Sequence, residues 1–288
     1  MISAPFNYEA PGTLTEALAL LTKHGDDAKI LAGGHSLLPM MKLRFAQPET
    51  IIDINNIPGL SYIKEEDGYL KIGALTREVE LEESELIRSK YPIFTDASKL
   101  IGDPQVRNMG TLGGNIAHGD AANDHPAVMI ALGAEVIITG PKGTRTVSID
   151  DFFHGFYMTA IEPNEILTEL RIPIPATGTG NAYHKLERKV GDYAIAGAAV
   201  QITLNGENVV EYAGIGLTNV NSTPLRATRS EEALLGKPLT EETIKEAAKC
   251  ASIDCNPTAD LRGDEEYKRA MVRVLVKRMI QRAAERAR

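Results

Sequence analysis

Tryptophan is absent, cysteine occurs only at positions 250 and 255, and aromatic residues make up just 5% of the 288 residues. Two thiols are too few for a disulfide framework and too few for an iron–sulfur cluster held by four thiolates. A redox centre belonging to this chain would therefore have to be an organic cofactor or an unusual metal site. No apolar run reaches the roughly 18 residues that read as a membrane span. Residues 1–12 carry neither a basic stretch nor an apolar core of the signal-peptide kind, so a cytoplasmic protein is expected. An excess of basic residues is missing too: 31 Lys+Arg stand against 39 Asp+Glu, a formal charge of −8. That balance speaks against a protein whose main task is to grip nucleic acid. The remaining composition, 43% hydrophobic and 24% charged, is that of a folded globular chain. The length suggests about two domains.

Local patterns predict an α+β chain. Residues 13–24 form an amphipathic helix with Thr13 and Glu16 as a capping box and Gly25 as its stop. A strand at 28–31 runs into the glycine doublet at 32–36, and another is expected at 50–54. Alternation about the Asp67-Gly68 turn predicts a hairpin over 61–75. Residues 100–125 are glycine-rich and lack hydrophobic periodicity, so they are expected to form a long loop with at most one short element, and such loops are usually functional. A buried helix at 127–132 follows, then strands at 135–139, 145–149 and 165–172. Residues 173–180, rich in Pro, Gly and Thr, are the best linker candidate. Beyond them, strands at 194–204 and 208–217 flank an Asn205-Gly206 turn, and helices are expected near 230–235, 240–251 and 264–288.

Two glycine-rich segments stand out as chemistry. Ala32-Gly33-Gly34-His35-Ser36 leaves a strand, and Gly110-Thr111-Leu112-Gly113-Gly114-Asn115 lies inside the expected loop. Glycine lets consecutive backbone N–H groups approach an anion, and Ser36, Thr111 and Asn115 add neutral donors. Together the two segments could cradle the two phosphates of a dinucleotide, although neither has the Rossmann or Walker spacing. A tight turn is the plainer reading of either one alone. His118, Asp120, Asp124 and His125 form a second constellation that could ligate a divalent metal and support a metal-dependent hydrolase. Ordinary loop polarity explains the same residues, and so does a dinucleotide site in which Asp124 accepts from ribose hydroxyls. Tyr193 could lay its ring against a planar cofactor or simply pack. Lys185, Arg188 and Lys189 read as a solvated basic face.

Three runs, LAGGHSLLPMMKLRFAQPETIIDI, GDPQVRNMGTLGGNIAHGDAANDHPAVMIALGA and KLERKVGDYAIAGAAV, occur in one order. In that order they resemble the FAD-binding medium subunits of molybdenum hydroxylases, especially those of the carbon monoxide dehydrogenase type. The resemblance spans essentially the whole chain. It implies a fold of the PCMH or vanillyl-alcohol oxidase type over residues 1–176, made of two α+β subdomains at about 1–57 and 58–176. A C-terminal domain over 177–288 would combine a small antiparallel sheet with a helix bundle.

The resemblance further implies that residues 32–36 and 111–115 wrap the FAD pyrophosphate and that Asp124 contacts the ribose or ribityl region. Tyr193 would lie by the isoalloxazine ring, and Lys185 near the flavin edge. A hydroxyl residue replaces His118 in the xanthine dehydrogenase branch, so the local FAD contact there differs. Expected partners are a molybdenum–pterin large subunit and a small subunit with 2Fe–2S clusters, in a dimer of heterotrimers without nucleic acid or membrane insertion. The expected role is FAD-dependent electron transfer from the clusters to an external acceptor, with carbon monoxide, an aldehyde or a purine as substrate of the complex. The Arg-rich final helix is a candidate docking surface for those partners.

Overall fold

The computed structural model describes residues 2–288. The chain begins with β1 (Asn7–Glu9), α1 (Leu14–His24), β2 (Ala28–Leu31), α2 (Leu37–Lys42) and β3 (Thr50–Asp53). The three strands pair in parallel in the order β1-β3-β2. Thr13 and Glu16 close the expected capping box on α1, and Gly25 ends the helix at φ 56°. Ala17 and Leu21 of α1 bury against Ile52 and Ile54. Parallel pairing leaves the segment after β2, residues 32–36, at the carboxyl end of the small sheet, where such sheets present ligands.

The second unit opens with the hairpin β4 (Ile63–Glu66) and β5 (Tyr69–Gly73). Helices α3 (Glu78–Glu83), α4 (Glu85–Lys90), α5 (Pro92–Ser98), α6 (Pro104–Met109), α7 (Leu112–His118) and α8 (Asp124–Leu132) follow. Then come β6 (Glu135–Gly140), β7 (Gly143–Ser148), the short hairpin β8 (Phe153–Gly155) and β9 (Met158–Thr159), and β10 (Ile166–Pro173). An antiparallel sheet in the order β4-β5-β10-β6-β7 carries the helices. The long loop expected over 100–125 is not one: α6 and α7 occupy half of it. Each is short and begins on a side-chain cap, Asp103 before Pro104 for α6 and Thr111 for α7. Caps and intersegment packing hold these helices, so no hydrophobic period announces them.

The last unit holds β11 (Thr179–Leu186), β12 (Ala196–Leu204), β13 (Val210–Thr218), β14 (Leu225–Arg226), α9 (Thr228–Leu234), α10 (Glu241–Asp254) and α11 (Glu265–Ala287). Its antiparallel sheet runs β11-β12-β13-β14 around the predicted Asn205-Gly206 turn. The linker is shorter than expected, because β10 continues to Pro173 and β11 starts at Thr179. Val272, Val276 and Ile280 of α11 fill the core beneath this sheet. Helix α8, apolar on every side and wholly buried, packs on β13, where a Cβ on Gly216 would meet the Ala127 carbonyl oxygen at 2.0 Å. One helix of the second unit is thereby built into the third. At the Arg-rich end of α11, Arg282 and Arg286 pair with Asp96 of α5, the shortest contact being 2.6 Å.

Candidate functional site

The two glycine segments meet. A Cβ on Gly33 would lie 2.4 Å from the Met109 carbonyl oxygen and 2.8 Å from Gly110 Cα, so this position is glycine because the second segment passes against it. Arg77 fastens the junction by donating to the Met109 carbonyl and, at 2.6 Å, to Asn55 Oδ1. Asn55 in turn donates to the Ala32 carbonyl at 2.8 Å. Gly34 takes φ 73°, a left-handed turn that only glycine adopts without strain. The N–H groups of Gly33, Gly34, His35 and Ser36 have no acceptor among the described residues. They form the unspent donor series that an anion needs.

The second segment behaves differently. Leu112 N–H donates to the Thr76 carbonyl at 3.0 Å, Gly113 N–H to the Ala74 carbonyl at 3.0 Å, and Gly114 N–H to Thr111 Oγ1 at 3.2 Å. Thr111 thus serves as the cap of α7, and the Leu112 side chain lies in the hydrophobic core. Gly113 is glycine because Ala74 stands 2.6 Å from where its Cβ would be. What this segment offers a ligand is side-chain polarity: Asn115 Oδ1 is buried with no partner.

Both segments line one cavity of about 820 Å³, walled by all three units of the chain. Asp124, Lys185 and Tyr193 line it as well. Asp124, in the first turn of α8, accepts the Tyr183 hydroxyl on Oδ1 and Lys185 Nζ on Oδ2 at 2.9 Å. Burial pushes its carboxyl above the ordinary range, against the pull of Lys185 and Tyr183. Lys185 is therefore not part of a solvated face: it is buried and also donates to the Asp192 carbonyl at 2.8 Å. At the mouth, Tyr193 carries the Arg262 guanidinium 5.7 Å from its ring centroid. Arg262, together with Arg188, also pairs with Asp192 and holds that carboxyl at about 2.

The expected metal constellation does not form. His118 faces the cavity beside the Tyr157 ring, 4.9 Å away, and burial depresses its basicity, with Asp120 acting in the opposite sense. Asp120 accepts from Ala122 N–H at 2.9 Å within its own turn. Asp124 is taken by Lys185 and Tyr183, while His125 points the other way, to Glu78 Oε2 at 2.7 Å. No group of three or more His, Cys, Asp or Glu side chains is placed to hold a metal among the described residues. Glu78, Tyr157, Tyr183 and Arg262 were not singled out from sequence. Tyr183 lies on a strand covered on both faces, and neither it nor Glu78 carries a local sequence signal.

Residues 4–175 match the family described as the FAD binding domain in molybdopterin dehydrogenase, and residues 181–283 match the CO dehydrogenase flavoprotein C-terminal domain. The chain belongs to this flavoprotein family. It is 53% identical over 283 residues to the carbon monoxide dehydrogenase medium chain of Hydrogenophaga pseudoflava, covering 98% of both chains. The medium chain from Afipia carboxidovorans is 48% identical over 287 residues, covering 100% of this chain and 99% of that one. A carbon monoxide dehydrogenase structure from Hydrogenophaga pseudoflava, lacking the Mo-pyranopterin moiety, superposes with a TM-score of 0.97 at 53% identity over 99% of each chain. Quinoline 2-oxidoreductase from Pseudomonas putida 86 shares the fold at a TM-score of 0.92 and 33% identity, covering 100% of this chain and 99% of that one. As a member of this family the protein is a FAD-binding oxidoreductase subunit, and nothing supports the hydrolase alternative.

Its residues fit the dinucleotide on structural grounds. The free N–H series at 33–36 suits a pyrophosphate, and the unpartnered Asn115 Oδ1 suits a donor of the ligand. Lys185, the cation nearest the acidic wall, is already engaged by Asp124. Phosphate charge would thus be met by amide dipoles in this cavity.

Proposed function

We propose that this chain is the medium subunit of a carbon monoxide dehydrogenase-like complex, relaying electrons between partner 2Fe–2S clusters and an external acceptor through FAD. Residues 1–176 would form the cofactor domain and 177–288 the C-terminal domain that completes the cavity. Substrate oxidation would take place at a molybdenum–pterin centre in a large subunit, with the clusters in a small one, as a dimer of heterotrimers in the cytoplasm. The names of the two medium-chain relatives favour carbon monoxide as the substrate of the complex. Relatives that act on glyceraldehyde or nicotine stand further off, at 38% and 34% identity.

When bound, FAD supplies the redox chemistry, accepting electrons and passing them on. The chain's own residues bind and orient it. The N–H groups of 33–36 would take the pyrophosphate, while Asn115, just past the Thr111–Gly114 turn, would offer its free Oδ1 to a donor of the ligand. Asp124 accepts sugar hydroxyls, Lys185 holds Asp124 from behind, and Tyr193 covers the ring system and keeps water from one face. The observation that carries this reading is the convergence of five separated stretches, 32–36, 111–115, 124, 185 and 193, on one cavity.

The visible spectrum of the chain purified with its partner subunits tests it. Oxidised flavin at about one FAD per chain is expected, with FAD affinity falling at least about tenfold in Asn115→Ala and Asp124→Asn, each of which removes a charge-assisted or buried hydrogen bond of roughly 1.5–3 kcal/mol. A complex that releases no flavin on denaturation and takes up none on titration with FAD overturns the proposal.

A further inference from the structure

The C-terminal domain reaches the cavity wall through one strand. Along β11, side chains 181, 183 and 185 share a face, and each bonds the cofactor domain. Asn181 Oδ1 accepts Ile93 N–H at 3.0 Å, the Tyr183 hydroxyl donates to Asp124 Oδ1, and Lys185 Nζ donates to Asp124 Oδ2 at 2.9 Å. Tyr183 is wholly buried, and room for its hydroxyl is kept by Gly197 on β12, where a Cβ would stand 2.8 Å from the phenol oxygen.

We propose that Tyr183 is a positioning residue of the cofactor site: its hydroxyl fixes one oxygen of Asp124 while Lys185 fixes the other, holding the carboxyl group turned to the cavity. This rests on the reading of Asp124 as a contact for the sugar hydroxyls of FAD.

A carboxylate enclosed in protein tends to take up a proton unless donors hold its charge. Burial pushes Asp124 in that direction, and the two donors from β11 oppose it. Each carboxylate oxygen has two acceptor sites, so one Tyr183 bond and one Lys185 bond leave two for a ligand. The other ionisable groups around the pair are accounted for elsewhere. His125 is bonded to Glu78, the Asp192 carboxylate is taken by Arg188 and Arg262, and Tyr193 stands at the mouth; among the described residues Glu187 Oε2, 3.6 Å from Lys185 Nζ and otherwise unpartnered, is the one carboxylate that also faces this lysine. Among the described residues, no second side chain donates to Asp124 Oδ1. Loss of the Tyr183 hydroxyl therefore raises the pH at which Asp124 protonates, and a protonated carboxyl accepts sugar hydroxyls less well.

FAD affinity is measured between pH 5 and 9 in the complex of this chain with its partner subunits, for wild type, Tyr183→Phe, Gly197→Ala and Asp124→Asn, with melting temperatures in parallel. The acid limb of FAD binding is expected to move up by about one pH unit in Tyr183→Phe. Gly197→Ala, which keeps the hydroxyl but crowds it, is expected to move the limb the same way and serves if the first variant does not assemble. In Asp124→Asn the limb disappears. An unchanged limb in Tyr183→Phe alongside weak binding in Asp124→Asn overturns the inference and leaves the role of Asp124 standing. A pH-independent loss that tracks a lowered melting temperature overturns it too, since that is a packing effect. Unaltered binding in Asp124→Asn removes the underlying reading of the site.

Discussion

At the scale of single residues, the glycines of the cavity do different work from one another. Gly34 supplies a left-handed turn, whereas Gly33 and Gly113 are small because backbone passes within 2.4 Å and 2.6 Å of their missing side chains. Substituting Gly33 thus tests the joint between the two segments more than it tests contact with phosphate. Gly33→Ala is expected to lose about 1–3 kcal/mol in denaturant unfolding of the FAD-free chain. Gly206→Ala, where nothing lies within 4 Å, should stay within about 0.5 kcal/mol of wild type. Equal stability of the two variants would show that the joint yields freely. The sequence made the glycine segments visible as chemistry but could not separate these roles. Whether an N–H is free or already spent, as at Gly113, depends on Ala74, a residue distant in sequence.

At the scale of elements, legibility followed periodicity and length. Helix α1, the 67–68 hairpin and the 205–206 hairpin carry their signals within a few residues, and each formed within a residue or two of its expected bounds. The helices α6 and α7 escaped because fewer than two turns of helix leave no period to detect. The Asp103-Pro104 pair and Thr111 followed by Gly119 were the local marks of their ends. Strand β11 was hidden for a different reason: both its faces are covered, one by the cofactor domain and one by α11, so polar and apolar residues do not alternate in the usual sense. The apolar stripe of the final helix is core, and its exposed basic face stays a candidate docking surface of the C-terminal domain. Ile280→Ala, which opens a cavity against the C-terminal sheet, is expected to cost about 2–5 kcal/mol, while exposed Arg278→Ala should cost no more than about 0.5 kcal/mol. Chemical denaturation of both variants distinguishes a core helix from a solvent-facing one.

At the scale of the molecule, the fold class and the site were legible mainly through three motifs occurring in the right order. The contacts that join the domains were not legible, because they pair residues far apart in the chain. Asp96 receives Arg282 and Arg286, Asp124 receives Tyr183 and Lys185, and α8 lies against β13. These contacts should make the two domains unfold as one. Calorimetry is expected to give a single transition for the wild-type chain and, for Asp96→Ala, a broadened or split one in which the C-terminal domain melts first. Superimposable transitions for both proteins would show that the remaining contacts suffice.

The acidic wall of the cavity belongs to α8, but the groups that hold it come from a strand made much later. A ribosome adding about 5–20 residues each second needs roughly ten to thirty seconds to travel from the first glycine segment to Tyr193. Through that interval the nascent chain owns half a cradle, with Asp124 unbraced and the mouth unformed. Loading with FAD would accordingly await β11 and Tyr193, and a chain stalled before that strand would lack the groups that brace Asp124.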